Sequence, residues 1–167
     1  VDVTFGGGGH SREILKRLGS NGILLAFDQD PDAIRNKIED SRFILIKENF
    51  RYISRFLKFY GIKKVDGVLA DLGVSSHQFD EAERGFSIRF DGELDMRMNQ
   101  SSKNSAKKII NTYPEDKLAD ILFMYGELRN ARSIAKTIVE EREIKNIDTS
   151  FQLRSVLQRY LPKAKEH

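Results

Sequence analysis

The sequence contains no cysteine and no tryptophan, and only three prolines and three histidines among its 167 residues. The absence of cysteine excludes disulfide bonds, thiol nucleophiles and cysteine-ligated metal sites, and it is compatible with a reducing cytosol. The three histidines (His10, His77 and His167) do not have metal-ligand spacing, so we predict no metal site. No apolar run approaches the roughly 20 residues of a membrane span, and no signal-peptide pattern is present, so we expect no membrane association.

Length and composition indicate a globular chain with one domain, or with one domain and an insertion. The charge is distributed unevenly along it. Residues 1–100 hold 15 Lys and Arg against 16 Asp and Glu, whereas residues 101–167 hold 13 against 9. The basic excess of the last third indicates either a solvated helical surface or a weakly basic face for a polyanion, and four charges do not decide between them.

The most distinctive local feature is the start of the chain, where a short β-rich run, 1–5, leads into four glycines, 6–9. This abrupt start leads us to expect a preceding segment. Glycine has no Cβ and tolerates positive φ, so the backbone can turn sharply there and a ligand can approach closely. A helical pattern follows from Arg12 to Leu18, and the first amides of a helix favour negative charge. Strand, glycine loop and helix in this order indicate either a nucleotide-type cofactor site or only a turn.

Three further segments have the composition of strands, namely 23–27, 42–46 and 65–71. The first of them is continuously apolar, which is typical of a parallel strand covered on both faces. Helical patterns lie between the strands, one capped by Asp30 with Pro31 at its first position and one over residues 51–60. Strands alternating with helices predict an α/β fold with a parallel, doubly wound sheet.

The pattern changes in the second half of the chain. From about His77 to Ser102 no periodicity is sustained, and from Ser105 onward the chain reads as helical. We predict that Thr112 caps one helix and that Thr149 and Gln152 form a capping box. Three apolar stripes are expected to form a helical core: Leu118, Ile121, Leu122 and Tyr125; Leu128, Ala131, Ile134, Ala135 and Ile138; and Leu153, Val156, Leu157 and Tyr160.

Every predicted strand ends in glycine or polar residues, and ligands of doubly wound sheets bind beyond the carboxyl ends of the strands. Asp28 is the most informative, because it lies about 20 residues after the glycines, where a carboxylate accepts hydrogen bonds from ribose hydroxyls. Ser11 replaces the third glycine of the dinucleotide fingerprint, and no lysine follows the glycines as in a Walker loop. S-adenosylmethionine fits better, with its ribose at Asp28, its adenine on Phe50 and its amino-acid group at residues 8–10.

The segments VTFGGGGHS, LLAFDQDPDAI, ENF, VDGVLADLGVSSHQFD and ERGFS…DGELDMRM follow one another in this order. On these motifs the chain resembles the MraW/RsmH family of S-adenosylmethionine-dependent methyltransferases, which modify the exocyclic amine of a cytidine in small-subunit (16S) ribosomal RNA. The resemblance implies part of a Rossmann-like class I methyltransferase core at 1–98 and part of an α-helical inserted domain at 99–167. The cofactor-binding residues it implies are Gly8, Gly9, His10, Asp28, Phe50, Asp71 and Gln78.

Methylation of an amine is an in-line displacement, for which the enzyme supplies positioning and electrostatics. The cytosine amine is a poor nucleophile because its lone pair is delocalised into the ring, so an acceptor for one of its N–H groups would help. Asp71 is the candidate acceptor, and Ser75 and Ser76 are candidate contacts to the base. An equal alternative is that Asp71 only holds the cofactor.

The resemblance also implies a cytoplasmic protein whose partner is small-subunit ribosomal RNA or the assembled subunit. Family members begin with a further segment and return to the sheet after the insertion, so the chain resembles the first half of the catalytic domain with much of the insertion. Three alternatives stay open: a catalytically incomplete fragment, an RNA-binding module, and, on the glycine loop alone, a nicotinamide-dependent oxidoreductase. The oligomeric state is also open, a homodimer included.

Overall fold

The computed structural model describes residues 1–161, which divide into two compact units. The first unit comprises Val1–Ser75 and Met98–Ser101; the second, which we call the helical unit, comprises Ser76–Arg97 and the described residues from Ser102 onward. Residues 76–97, which lie within the predicted core segment 1–98, thus cluster with the helices. Backbone bonds explain this, since Leu94 N–H donates to Asp148 O (2.9 Å). The identity of the units as a cofactor domain and an insertion stays a prediction.

The first unit is an α/β arrangement around a small parallel sheet. Strands β1 (Leu24–Asp28) and β2 (Phe43–Lys47) pair in parallel, with Leu24 opposite Phe43 and Asp28 opposite Lys47. The elements in chain order are α1 (Gly9–Arg17), β1 (Leu24–Asp28), α2 (Pro31–Ile34), β2 (Phe43–Lys47), a 3₁₀ turn (Phe50–Tyr52) and α3 (Ile53–Phe59). The predicted cap is confirmed, because the Asp30 side chain accepts from Asp32 N–H with Pro31 at the first helical position.

The predicted strands at 1–5 and 65–71 do not form as regular strands. Asp2 instead makes single parallel bridges, to Ala26 on one side and to Leu69 on the other. The Asp2 side chain accepts from Thr4 N–H (3.0 Å), so this amide is withdrawn from a ladder after one bridge. The backbone order is therefore the Leu69 segment, the Asp2 segment, β1 and β2, and after the lost Thr4 amide one further backbone bond joins the Asp2 segment to β1, from Phe5 N–H to Phe27 O (3.0 Å).

Both faces of β1 are covered, as its continuous apolar run predicts. Leu24 and Ala26 pack in one buried cluster with Phe5, Leu15, Ala33 and Phe43. Leu25 and Phe27 pack in another with Ile46, against which the partly buried Ile53, Phe56 and Leu57 also lie. Helices α1 and α2 thus cover one face of β1 and α3 covers the other.

The helical unit contains α4 (Ser76–Asp80), a 3₁₀ turn (Ala82–Arg84), α5 (Ala106–Thr112), α6 (Glu115–Met124), α7 (Ala131–Ile144), α8 (Ser150–Val156) and a 3₁₀ turn (Gln158–Tyr160). Its buried core is Leu94, Ile110, Leu118, Ala119, Ile134, Ala135, Ile138 and Ile147. The capping box of Thr149 and Gln152 is confirmed. Tyr125, expected in the first stripe, is exposed because α6 ends before it.

The predicted cap at Thr112 is wrong. This residue ends α5, where its hydroxyl donates to Lys108 O (2.7 Å), and the helix that follows begins after Pro114. A threonine hydroxyl near a helix end can bond backward to the preceding turn as readily as forward, and here the backward partner is used.

Within residues 82–97, the backbone at two glycines packs directly against the backbone of other residues in the same segment. Gly85 has a φ of +70°, and a Cβ placed on it would lie 2.3 Å from the carbonyl oxygen of Glu93. A Cβ placed on Gly92 would lie 1.9 Å from the carbonyl oxygen of Ala82. Only glycine therefore fits at these two positions of the ERGFS…DGELDMRM motif.

None of the helices within residues 1–161 has the length and apolar character needed to cross a membrane. The same residues contain no group of three or more His, Asp or Glu side chains arranged to hold a metal ion. His167 lies outside the described residues.

Candidate cofactor-binding site

The glycine loop of the first unit leaves open space along one side of its backbone. Gly8 has a φ of +77° and caps α1, and its N–H donates to Phe5 O (2.8 Å). A Cβ on Gly8 would come within 2.9 Å of the Phe5 ring, whereas a Cβ on Gly6, Gly7 or Gly9 would meet no atom within 4 Å. The turn thus requires glycine at position 8 and, through its φ of +51°, at position 6, while Gly6, Gly7 and Gly9 leave room that a ligand can fill.

Asp28 ties the glycine loop to the end of β1. Its Oδ2 accepts from Gly6 N–H (2.8 Å) and its Oδ1 accepts from Asp30 N–H (2.9 Å). Both carboxylate oxygens are therefore held in place, and each keeps a lone pair for a further donor. The sequence predicted this residue as a ribose acceptor but not its bond to the loop.

His10 and Asp71 come together at the same edge, although 61 residues separate them in sequence. His10 Nε2 lies 3.4 Å from Asp71 Oδ2, and the two side chains are 58% and 73% exposed. Asp71 N–H donates to Thr4 Oγ1 (2.8 Å), which holds this backbone beside the Asp2 segment. An exposed pair of this kind contributes little to stability, so it is available to interact with a ligand.

The buried carboxylate of Asp2, which the sequence did not predict as part of the site, holds together the segments that carry His10 and Asp71. Asp2 is fully buried; its Oδ2 accepts from Ser11 Oγ (2.7 Å) and its Oδ1 from Thr4 N–H. Ser11 belongs to α1, and Thr4 in turn accepts from Asp71 N–H. The available signal was an acidic residue inside a short apolar run, since a buried charge requires several hydrogen bonds.

Phe50 lies three residues after the end of β2, at the same edge of the sheet, and is 40% exposed. The preceding Asn49 fixes this corner, because its Oδ1 accepts from Arg51 N–H (2.9 Å) and its Nδ2 donates to Gln29 Oε1 (3.2 Å). Gln29 directly follows Asp28, so the ends of β1 and β2 are joined next to the exposed ring.

The remaining predicted site residues lie where the chain passes from the first unit to the helical unit. Ser75 is the half-buried last residue of the first unit's main segment, whereas Ser76 and Gln78 belong to α4 of the helical unit. Gln78 is buried and Ser76 is exposed. Their roles toward a base or a cofactor stay predictions.

The groups gathered in the first unit suit a ligand that carries hydroxyls, an ammonium group and an aromatic base. Asp28 and Asp71 are acceptors for such donors, the glycine loop offers open space, and the ring of Phe50 offers a stacking surface. Two carboxylates near a phosphate would repel it. The set therefore fits S-adenosylmethionine.

Comparison with known proteins gives a consistent result. The family model described as the MraW methylase family matches residues 1–167. A protein of Christiangramia forsetii named ribosomal RNA small subunit methyltransferase H is 65% identical over 167 residues, which is 100% of this chain and 55% of that protein. Proteins with the same name from Flavobacterium johnsoniae and Parabacteroides distasonis are 62% and 54% identical, over 97% and 99% of this chain and 54% and 55% of theirs. The chain spans about half the length of the curated relatives it matches.

Proposed function

This chain belongs to the MraW methylase family, and we propose that it carries the cofactor-binding part of an S-adenosylmethionine-dependent methyltransferase of small-subunit ribosomal RNA. The name shared by its relatives, ribosomal RNA small subunit methyltransferase H, supports this substrate. The proposed partner is small-subunit ribosomal RNA or the assembled subunit. A cytoplasmic location follows within the proposal, since that is where such RNA is found.

The single observation that carries the proposal is the position of Asp28. Its carboxylate is anchored by Gly6 N–H at the end of a buried strand, beside the open side of the glycine loop. That is where a doubly wound sheet places an acceptor for a ribose diol. Phe50 would stack on the adenine, and His10 with the backbone of Gly8 and Gly9 would line the amino-acid group.

The proposed reaction is methylation of the exocyclic amine of a cytidine. When bound, S-adenosylmethionine supplies an electrophilic methyl group. Asp71 would accept a hydrogen bond from the amine and so turn its lone pair toward that methyl group, or would hold the cofactor. The bond from Asp71 N–H to Thr4 Oγ1 and the contact with His10 restrict where this carboxylate can lie. Ser75 and Ser76 are the proposed contacts to the base.

The first experiment is calorimetric titration of S-adenosylhomocysteine into the whole chain, with NAD as the competing ligand class. We choose Asp28→Asn over Asp28→Ala because asparagine keeps one acceptor for Gly6 N–H while it removes the charge that two ribose hydroxyls would share. Asp66→Asn, at an exposed position of the same unit, is the matched control.

Saturable binding that Asp28→Asn weakens at least about tenfold, or about 1.4 kcal/mol, would support the proposal, because two charge-assisted hydrogen bonds are at stake. Binding of NAD in preference to S-adenosylhomocysteine would overturn it in favour of an oxidoreductase. No binding of either ligand to a folded chain would favour the RNA-binding module or incomplete fragment.

The role of Asp71 requires a turnover assay on the complete protein with small-subunit RNA or subunits. Asp71→Asn is expected to lower kcat by about 100-fold while it leaves the affinity for S-adenosylhomocysteine within a few-fold, since positioning acts on the chemical step. Unchanged kcat with weakened binding would assign Asp71 to the cofactor alone.

A further inference from the structure

Helix α3 and the turn before it carry a surface that the candidate cofactor site does not use. Arg51, Tyr52, Arg55, Lys58 and Phe59 recur at intervals of three and four residues and so share one side of the helix; we call this the α3 basic face. The opposite side packs inward, with Ile53, Phe56 and Leu57 against the cluster of Leu25, Phe27 and Ile46. The core therefore does not require the α3 basic face.

The charge around this face is concentrated and of one sign. Residues 47–64 hold six Lys and Arg and a single acidic residue, Glu48. The whole chain has a net charge of +3, so this stretch of 18 residues exceeds the net charge of the entire protein. Counted over residues 1–100, the same charges are cancelled by acidic residues elsewhere.

The two arginines of the α3 basic face are gathered around one aromatic ring. The guanidinium carbons of Arg51 and Arg55 lie 4.6 Å and 4.9 Å from the centre of the Tyr52 ring. Within the described residues, none of the six basic side chains of 47–64 is in an ion pair with a carboxylate. Two like charges held close without an acidic partner repel each other, so an anion that binds both relieves that repulsion.

An exposed aromatic side chain completes the face. Phe59 is 78% exposed and packs edge-on against Tyr60, at a centroid distance of 5.1 Å. A phenylalanine this exposed loses apolar contact with protein, and its free face can stack on a flat ring. Basic side chains that follow a phosphate backbone, together with an aromatic ring for a base, form the usual binding surface for single-stranded nucleic acid.

We propose that the α3 basic face binds single-stranded RNA, with Arg51, Arg55 and Lys58 on phosphates and Phe59 stacked on a base. The choice of RNA among polyanions rests on the proposed function. The face begins one residue after Phe50, so one end of it lies beside a residue of the candidate cofactor site. The α3 basic face would hold a stretch of RNA that flanks the nucleotide to be methylated.

The test measures binding of a fluorescein-labelled single-stranded RNA of about 20 nucleotides, long enough for several contacts, by anisotropy across a salt series. The variant Arg51→Gln/Arg55→Gln/Lys58→Gln is compared with Lys16→Gln/Arg17→Gln/Arg35→Gln, which removes three exposed charges of the same unit outside this face. Phe59→Ala is compared with Tyr125→Ala, an exposed aromatic residue of the helical unit. Circular dichroism verifies that each variant is folded.

The face triple variant is expected to lose about tenfold or more in affinity and to lower the salt slope by about 2, since each phosphate contact contributes about 0.7 on a single strand. Phe59→Ala should lose about fivefold or more with the slope unchanged, because stacking is not ionic. Both control variants should stay within about twofold of the wild-type affinity.

Equal losses in the two triple variants would overturn the proposal, since they would mean that only net charge matters. Binding to phosphatidylserine vesicles that the face variants abolish, with RNA affinity unchanged, would overturn it in favour of a membrane surface. Titration of S-adenosylhomocysteine into the same variants separates the two proposals. Loss of RNA binding with intact cofactor binding supports the face, whereas a wild-type chain that binds RNA through this face but no cofactor would refute only the proposed function.

Discussion

Both units of the chain carry distinctive sequence motifs, but the motif residues face a possible ligand in the first unit and satisfy backbone packing in the helical unit. In the first unit, the motif residues Asp28, His10 and Asp71 stand at the edge of the sheet with atoms free for a ligand. In the helical unit, Gly85 and Gly92 are packed against the backbone of their own loop and leave no space for a side chain. A motif residue can therefore be required for ligand chemistry or for steric fit, and the structure around the residue shows which of the two applies.

The polar groups of the two units differ in the same way. A buried carboxylate, Asp2, positions the pieces of the first unit through Ser11 and Thr4. In the helical unit, polar side chains mainly close helix ends and loops, as the box of Thr149 and Gln152 does. We expect substitutions of Asp28 and Asp71 in the first unit to alter ligand binding, and those of Gly92 and Thr149 in the helical unit to alter stability.

The largest effect is expected for Gly92→Ala. The new methyl group would lie 1.9 Å from the carbonyl oxygen of Ala82, a backbone atom that cannot rotate away, so we expect a loss of about 3 kcal/mol or more. Denaturant unfolding followed by circular dichroism measures this loss. Hydrogen exchange should increase in peptides of α5 to α8. Gly19→Ala, where a Cβ would meet no atom within 4 Å, is the control; equal stability of the two variants would contradict the steric explanation.

The next effect is expected for Asp2→Ala. It leaves the buried hydroxyl of Ser11 and the amide of Thr4 without their acceptor, at a cost of about 1.5–3 kcal/mol, the usual worth of hydrogen bonds to a charged group. Since the same network holds the backbone of Asp71, affinity for S-adenosylhomocysteine should fall as well. Urea unfolding and calorimetry measure the two effects, with Asp66→Ala as the control. Full stability in Asp2→Ala would remove Asp2 from the positioning role.

A smaller effect is expected for Thr149→Ala at the start of α8. Loss of the cap should cost about 1 kcal/mol, because the Gln152 N–H loses its side-chain acceptor. Thr149→Ser retains the hydroxyl and should recover most of it. Thermal unfolding measures the difference, and a serine variant as unstable as the alanine variant would show that the methyl group matters more than the cap.

The smallest effect is expected in acid. Hydrogen bonds from the Arg97 side chain lower the pKa of Asp95, and the Phe151 N–H lowers the pKa of Asp91. Arg42 similarly lowers the pKa of Asp40 to about 2. Each lowered pKa contributes stability above the unfolded-state value of about 3.9, and the contribution is lost as the pH falls below it.

Unfolding measured from pH 6 down to about pH 2 should therefore show a fall in stability that begins near pH 4. Asp91→Asn keeps an acceptor for Phe151 N–H and removes the titration, so its profile should be flatter than that of the wild type. Parallel profiles for the two proteins would contradict this assignment.

Local patterns predicted much of the fold. The continuous apolar run gave β1 and its two covered faces, and Asp30 and Thr149 marked helix starts correctly. Patterns failed where a side chain competes with the backbone. Asp2 interrupts the first predicted strand by taking the Thr4 amide, and Thr112 bonds backward instead of capping the next helix. Both partners are near in sequence, two and four residues away, so the error lies in which of two local hydrogen bonds forms.

For the candidate site, strand-end residues were predictable because parallel strands end at one edge. The network of Asp2 was not, since it links residues 2, 11 and 71 through contacts that periodicity does not encode. The α3 basic face is not evident from long blocks of sequence, because residues 1–100 as a whole are nearly neutral. Its signal is the spacing of Arg51, Arg55 and Lys58, which recur at intervals of four and three residues and so share one side of the helix.

The position of the Asp2 segment between β1 and the Leu69 segment has a consequence for how the molecule assembles. The bond from Gly6 to Asp28 closes a loop of 22 residues, whereas the bond from Asp71 to Thr4 closes one of 67. Tripling a loop raises its closure entropy cost by about 1 kcal/mol, and the Leu69 segment has no partner until the Asp2 segment is in place. We therefore expect the glycine loop and Asp28 to form early in folding, and Asp71 to join His10 last.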